Sequence, residues 1–264
     1  IYNQPDAAAY YRTLGALNYE IPQRGADVFA TVIGARPGDE APTVLDVCCS
    51  YGVGGALLKT DLCLDDLYAH YREAEDSGLF GDDLIKADSQ LIEQHLLPEP
   101  PRVIGLDVAD RAAQYAVAAD YLDAAFVENL EAAEPSADLA KQMAAVDVIT
   151  TTGGVGYVTE RTFARLVDAS DNTPWVAAFC LRAYDYQPVV EALAERGMVT
   201  EKADSVFPQR RFIDADEARW ATDRITAAGL DPTGLESTGR YFADFFLSRP
   251  ADDVAAAPLH EVLA

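Results

Sequence analysis

Long apolar runs are missing from this chain: no stretch of about 18 apolar residues offers a membrane span. The opening IYNQPDAAAYY also lacks the basic, then apolar, build of a secretory leader. The expectation is a cytoplasmic protein with no membrane partner. Positive charge is scarce, with 20 Lys and Arg against 44 Asp and Glu and a net charge of -24. A surface of that sign repels phosphate backbones and argues against a nucleic-acid partner. Four cysteines, Cys48, Cys49, Cys63 and Cys180, form no C-x-x-C pair and have no histidine at zinc-ligand spacing. They read as small reduced thiols, and no metal site is expected. Histidines number three, so few imidazoles are at hand for proton transfer near neutral pH.

Several nucleotide and hydrolase signatures are absent as well. There is no G-x-x-x-x-G-K-[ST] phosphate loop and no G-x-S-x-G nucleophile elbow. Gly52-Val-Gly54 begins like a dinucleotide fingerprint, but Leu57 stands where a third small residue is needed.

What is present is an alternation of strand and helix patterns in 264 residues, half of them hydrophobic, which is ample for one α/β domain. Helical patterns over Asp6–Leu17 and Gly25–Gly34 make residues 1–42 a helical cap, ending in the breaker-rich stretch Ala35–Pro42. Thr43–Cys48 reads as a buried parallel strand, and Gly52–Gly55 turns into a helix at Ala56–Leu58. Arg102–Asp107, Ala124–Val127, Val146–Thr150 and Trp175–Leu181 read as further strands, with helices starting near Asp110 and spanning Thr159–Asp168 and Asp216–Ala228. Leu235–Thr238 and Tyr241–Leu247 are expected to close the sheet as a hairpin. Residues 59–101 and 184–214 interrupt this scheme and are expected to be lids over the ligand edge. The first carries amphipathic patterns at Leu64, Leu67, Tyr68 and Tyr71, then Leu91, Ile92 and Leu96. Residues 250–264 read as a tail.

The run Val44-Leu-Asp-Val-Cys-Cys-Ser-Tyr-Gly52 resembles the first motif of the class I S-adenosylmethionine-dependent methyltransferases, hh-D/E-h-G-x-G-x-G with h apolar. Cys48 and Ser50 stand in place of its first two glycines. Asp107 at the end of the second strand is similar to that family's ribose-binding acid, and the closing Tyr241–Leu247 segment to its final hairpin strand. The resemblance covers residues 43–249. It implies a Rossmann-like, doubly wound, mostly parallel seven-stranded sheet ending in an antiparallel hairpin. It also implies S-adenosylmethionine as cofactor, held by Asp46, Cys48, Cys49, Ser50, Gly52, Asp107 and Val108. Glu128 and Asn129 would meet the adenine, and Thr151 the methionine end. For Asp107 the plain alternative is a helix cap, and for Glu128 and Asn129 a solvated loop.

The reaction implied is metal-independent methylation of a small-molecule acceptor, oxygen slightly ahead of nitrogen or carbon. The competing reading is a non-methylating binder of the same cofactor. His70, His95 and Tyr157 are the base candidates, each set against an ordinary helical or packing role, while His260 lies in the tail. Tyr2, Tyr10, Tyr11 and Tyr19 would pack around the ligands or in the core. Arg210 and Arg211, between Phe207 and Phe212, would anchor an anionic acceptor or pair with one of the many carboxylates. A homodimer stays open as a partner.

Overall fold

The computed structural model describes residues 1–38 and 41–264. Asp39 and Glu40, inside the breaker-rich stretch expected at Ala35–Pro42, lie outside the described residues. Two helices lead in, α1 (Ala8–Ala16) and α2 (Ile21–Gly34), and β1 (Thr43–Val47) follows. After α3 (Val53–Lys59), two further helices, α4 (Leu64–Asp76) and α5 (Gly81–His95), intervene before β2 (Arg102–Asp107). The alternation continues through α6 (Asp110–Ala118), β3 (Ala124–Val127), α7 (Ala137–Met143), β4 (Val148–Thr151), α8 (Glu160–Asp168) and β5 (Trp175–Leu181). The chain closes with α9 (Gln187–Ala194), β6 (Met198–Arg211), α10 (Ala215–Ala227), β7 (Arg240–Pro250), α11 (Ala251–Ala256) and α12 (Leu259–Val262).

The strands form one seven-stranded sheet in the order β3-β2-β1-β4-β5-β7-β6. The first five pair in parallel, and β7 runs antiparallel to both β5 and β6. The doubly wound sheet with a terminal antiparallel hairpin is therefore present. Both of its faces are covered, which is why the central strands β1, β2 and β5 are mostly apolar. Successive residues point to opposite faces: Val44, Val103, Val148 and Ala177 enter the core under α1 to α6, whereas Leu45, Ile104, Ile149 and Val176 enter the core under α7, α8 and α9. No helix among the described residues is long and apolar enough to cross a membrane.

Four sequence expectations need correction. The hairpin partner of β7 is β6, and Leu235–Thr238 carries instead a single 3-10 turn at Glu236–Thr238. Residues 184–214 therefore supply α9 and an edge strand of the sheet, with only part of their length near the ligand edge. Residues 59–101 are not a lid either. The apolar face of α4 packs on α1, and α5 packs on α6, so both faces are consumed inside the helical layer. The tail is ordered as well: Trp175 Nε1 donates to Asp253 at 2.7 Å, and Leu259 and Val262 are buried.

Candidate functional site

The parallel strands all end at one edge of the sheet, and the strand order reverses between β1 and β4. Loops diverging at such a switch point leave a crevice. Here it is a cleft of about 760 Å³, built from the loops after β1, β2, β3 and β4, the N-terminal segment, the end of β6 and α10. That volume falls in the range of small-molecule sites.

The β1 loop has the backbone its motif requires. Cys48, Ser50 and Gly52 adopt φ of 62°, 49° and 75°, the left-handed region that glycine enters freely and other residues avoid. Two of the three motif positions therefore keep the glycine conformation without the glycine. The turn is tied to its neighbour strand, since the amides of Cys48 and Cys49 both donate to Leu106 O, at 2.8 and 3.3 Å. Ser50 N donates to Asp107 Oδ2 at 2.8 Å, and Ala109 N to Asp107 Oδ1 at 2.9 Å. The Asp107 carboxylate is thus fixed by two amides and keeps lone pairs for a ligand hydroxyl. Ser50 Oγ is buried with no hydrogen-bond partner among the described residues.

Replacing Ser50 with glycine is expected to raise folding stability by about 1 kcal/mol. Left-handed strain is relieved, and only part of the gain is lost to the greater freedom of unfolded glycine. A denaturant midpoint that moves down at constant m-value would refute this account of the loop.

Asp46 lies in the cleft floor, where an added Cβ on Gly54 would come within 2.8 Å of its Oδ2. Burial pushes its carboxyl up to about 7 against the hydrogen bond from Thr150 Oγ1, with the nearby Asp107 charge adding to the rise. Between the ordinary carboxylate range and pH 7, the folded state holds a proton that the unfolded state has released. The Asp46 contribution to stability is therefore present at low pH and lost as pH rises through about 7. The stability difference between wild type and Asp46→Asn should shift against wild type from about pH 4 to 7 and then level off. A difference that is flat over that range would mean Asp46 is ionised throughout. Burial also pushes the Cys48 thiol up to about 12 and the Cys49 thiol well above its ordinary range, so neither is a ready nucleophile.

Asp46, Cys48, Cys49, Ser50, Asp107, Val108, Glu128, Asn129, Tyr157 and Arg210 all line the cleft. Glu128 accepts from Ser136 N and Oγ, which fixes its orientation. Gly52 and Thr151 support the wall rather than line it. Gly52 packs toward Ala116 and Leu122, and Thr151 Oγ1 accepts from Gly154 N at 3.0 Å, leaving Thr152 to face the cleft. Of the N-terminal tyrosines, Tyr2, Tyr10 and Tyr19 reach the cleft, while Tyr11 stacks on Tyr71 in the core at 3.8 Å.

His70 and His95 do not reach it. His70 Nε2 bonds the fully buried Asp88 at 2.7 Å, a carboxylate that also accepts from Tyr71 and Tyr115; His95 Nδ1 bonds Asp61 at 2.7 Å. Both are carried on the packed α4 and α5 helices, so the base assignment fails for them. Arg211 is exposed and off the cleft, its backbone N donating to Leu17 O. Arg210 is engaged at both terminal nitrogens by Glu217, at 3.0 and 2.7 Å, and lies over the Tyr241 ring at 5.0 Å. That pairing neutralises the proposed anion anchor.

Sequence reasoning missed Glu131, Gln209, Glu217 and Trp220, all of which line the cleft. Hydrogen bonds from Thr159 and Thr162 outweigh burial and hold Glu131 below its ordinary range. Trp220 carried one legible signal, an aromatic on the polar side of an acidic helix. Because the cleft is covered by residues 1–22 and α10, a cleft ligand is expected to slow limited proteolysis there and leave 59–101 unchanged. Protection confined to 59–101 would overturn this arrangement.

A reversed β7 inserted between β5 and β6, with an acidic residue closing β2 at a switch point, decides the architecture. This is the Rossmann-like, doubly wound sheet with a terminal antiparallel hairpin that the resemblance of residues 43–249 implies. No protein-family model and no curated protein matches the chain. Among solved structures it is similar to a TehB-like SAM-dependent methyltransferase from Corynebacterium glutamicum, at 15% identity and TM-score 0.46, over 90% of this chain and 94% of that one. It is also similar to precorrin-6y C5,15-methyltransferase from Geobacter metallireducens, at 10% identity and TM-score 0.43, over 85% and 87% of the two chains. The magnesium protoporphyrin IX methyltransferase from Synechocystis, solved with bound SAM, shares 12% identity at TM-score 0.42 over 86% and 79%.

Proposed function

We propose that the cleft binds S-adenosylmethionine and that the protein transfers its methyl group to a small-molecule acceptor. The observation that carries this reading is the β1 loop, with three left-handed positions and its Ser50 amide locked onto Asp107. Backbone curvature of this kind brings peptide N–H groups close to a ligand, and the fixed carboxylate suits vicinal hydroxyls. Val108, 64% exposed beside Asp107, and Glu128 and Asn129 supply a flat apolar contact and polar edges for a purine. The unpartnered Ser50 Oγ gains a partner when the ligand is present.

When bound, S-adenosylmethionine supplies a methyl group already activated on a sulfonium. The protein then has to align the acceptor with the carbon–sulfur bond and keep water out. In the transfer the acceptor's lone pair forms the new bond to carbon, and the sulfur keeps the electrons of the broken bond. Any proton on the acceptor leaves to a base or to water. Asp107, Glu128 and Glu131 give the cleft a negative field suited to a cationic donor. Oxygen remains the favoured acceptor, and Tyr157 is the base candidate that reaches the cleft. The reading is metal-independent because β4 ends in hydroxyls at Thr150 and Thr151, followed by Thr152, rather than in a carboxylate. Four free cysteines, Cys63 exposed, support a reducing, cytoplasmic setting.

Calorimetry with S-adenosylhomocysteine tests the binding site, and release of S-adenosylhomocysteine from S-adenosylmethionine in the presence of an acceptor tests the reaction. Binding without turnover across acceptor classes would favour the non-methylating binder.

A further inference from the structure

Gln209 sits near the end of β6 with only 8% of its surface exposed, facing the cleft, and its Oε1 is buried with no hydrogen-bond partner among the described residues. A buried amide oxygen left unpaired carries a desolvation cost, so native proteins rarely leave one without a purpose. Its backbone is held firmly: Glu20 N donates to Gln209 O at 2.8 Å, and the next amide, Arg211 N, donates to Leu17 O at 2.8 Å. The amide nitrogen lies 3.4 Å from where a Cβ on Gly153 would stand, so the side chain reaches the loop after β4. It therefore faces the cleft beside the loop after β4.

The same compartment is walled by rings. Tyr157, Tyr2 and Trp220 are 80%, 49% and 40% exposed at the cleft, and Tyr184 meets Trp220 at 5.8 Å between centroids. Exposed aromatics gathered on one concave surface are a binding feature rather than a packing one. The charge there disfavours anions, because Arg210 is the cation lining the cleft and Glu217 already holds both its terminal nitrogens.

We propose that this compartment takes a planar, conjugated acceptor that carries an N–H or O–H donor and no negative charge, and that Gln209 Oε1 accepts that donor. The inference rests on the methyl-transfer reading and names its substrate class. Gln209 sets specificity through this contact, while the rings supply most of the contact area.

The test uses the full chain loaded with S-adenosylhomocysteine and saturation-transfer NMR with matched trios of heteroaromatic fragments. Each trio has a neutral member with a ring N–H or O–H, its methyl-capped form and its carboxylated form. The uncapped neutral member should bind, and capping or carboxylation should each weaken binding about fivefold or more, the effect of one hydrogen bond. In Gln209→Leu, which keeps the volume, capped and uncapped forms should bind alike while S-adenosylhomocysteine affinity holds. Gln209→Asn should retain part of the donor preference. The inference is overturned if no uncapped neutral member binds, if carboxylated members bind best, or if Gln209→Leu keeps the donor preference. Calorimetry on the same sample separates the two readings: without S-adenosylhomocysteine binding both fall, and with it a failed trio pattern removes this one alone.

Discussion

Gly52→Val is expected to destabilise the fold by about 4 kcal/mol, the sum of left-handed strain on a β-branched residue and overpacking in a closed space. At φ 75° the position is one that side chains rarely adopt. A Cβ there would meet Ala116 Cβ at 2.8 Å, and Tyr121 Cβ and Leu122 Cγ at 3.0 Å. All three belong to α6 and the turn after it, so the obstruction is inside the core and not against a ligand. The motif reading assigns this glycine to cofactor contact, whereas the geometry assigns it to the close approach of α3 and α6. The two accounts separate in the apo protein. A melting temperature close to wild type, with cofactor binding abolished, would restore the contact role; a large loss of stability without any ligand supports the packing role.

The difference shows what was legible. Strands β1, β2, β4 and β5 are readable because burial on both faces makes them short, mostly apolar runs, and Asp46 stands out as an acid within such a run and Asp107 as one ending it. β6 was invisible for the opposite reason. It is an edge strand whose sequence Thr200-Glu-Lys-Ala-Asp-Ser205 reads as a charged loop, it contains Pro208, and its register shifts between Lys202 and Val206 and again between Pro208 and Arg211. Such features protect an open sheet edge, and they also erase the period-two signal. Without β6, the hairpin had to be sought in Leu235–Thr238, and Gln209 had no address. The histidines failed for a different reason. Helical spacing shows that the faces bearing Leu67 and Leu91 are buried, but not what they bury against, and here they pack on α1 and α6 rather than over a ligand. Cleft residues from distant segments, such as Tyr2 and Trp220, are joined only by topology.

Asp107→Ala is expected to weaken S-adenosylhomocysteine binding by about 3 kcal/mol, more than a hundredfold, because two losses fall on the same site. The first is the acceptor for the ribose hydroxyls. The second is the anchor for the Ser50 and Ala109 amides, whose hydrogen bonds at 2.8 and 2.9 Å hold the β1 loop and the start of α6 in place. A carboxylate that accepts two amides is preorganised, so little ordering is left to be done when ligand arrives. The two losses can be told apart with 5′-methylthioadenosine and its 2′-deoxy form. Wild type should prefer the ribose form by about tenfold, the worth of one charge-assisted hydrogen bond, and Asp107→Ala should show no preference. If the variant binds both forms weakly but still prefers ribose, Asp107 acts by holding the loop and the hydroxyls find their partner elsewhere. If the variant binds S-adenosylhomocysteine as wild type does, neither role stands, and the cofactor reading loses the residue on which its geometry most depends.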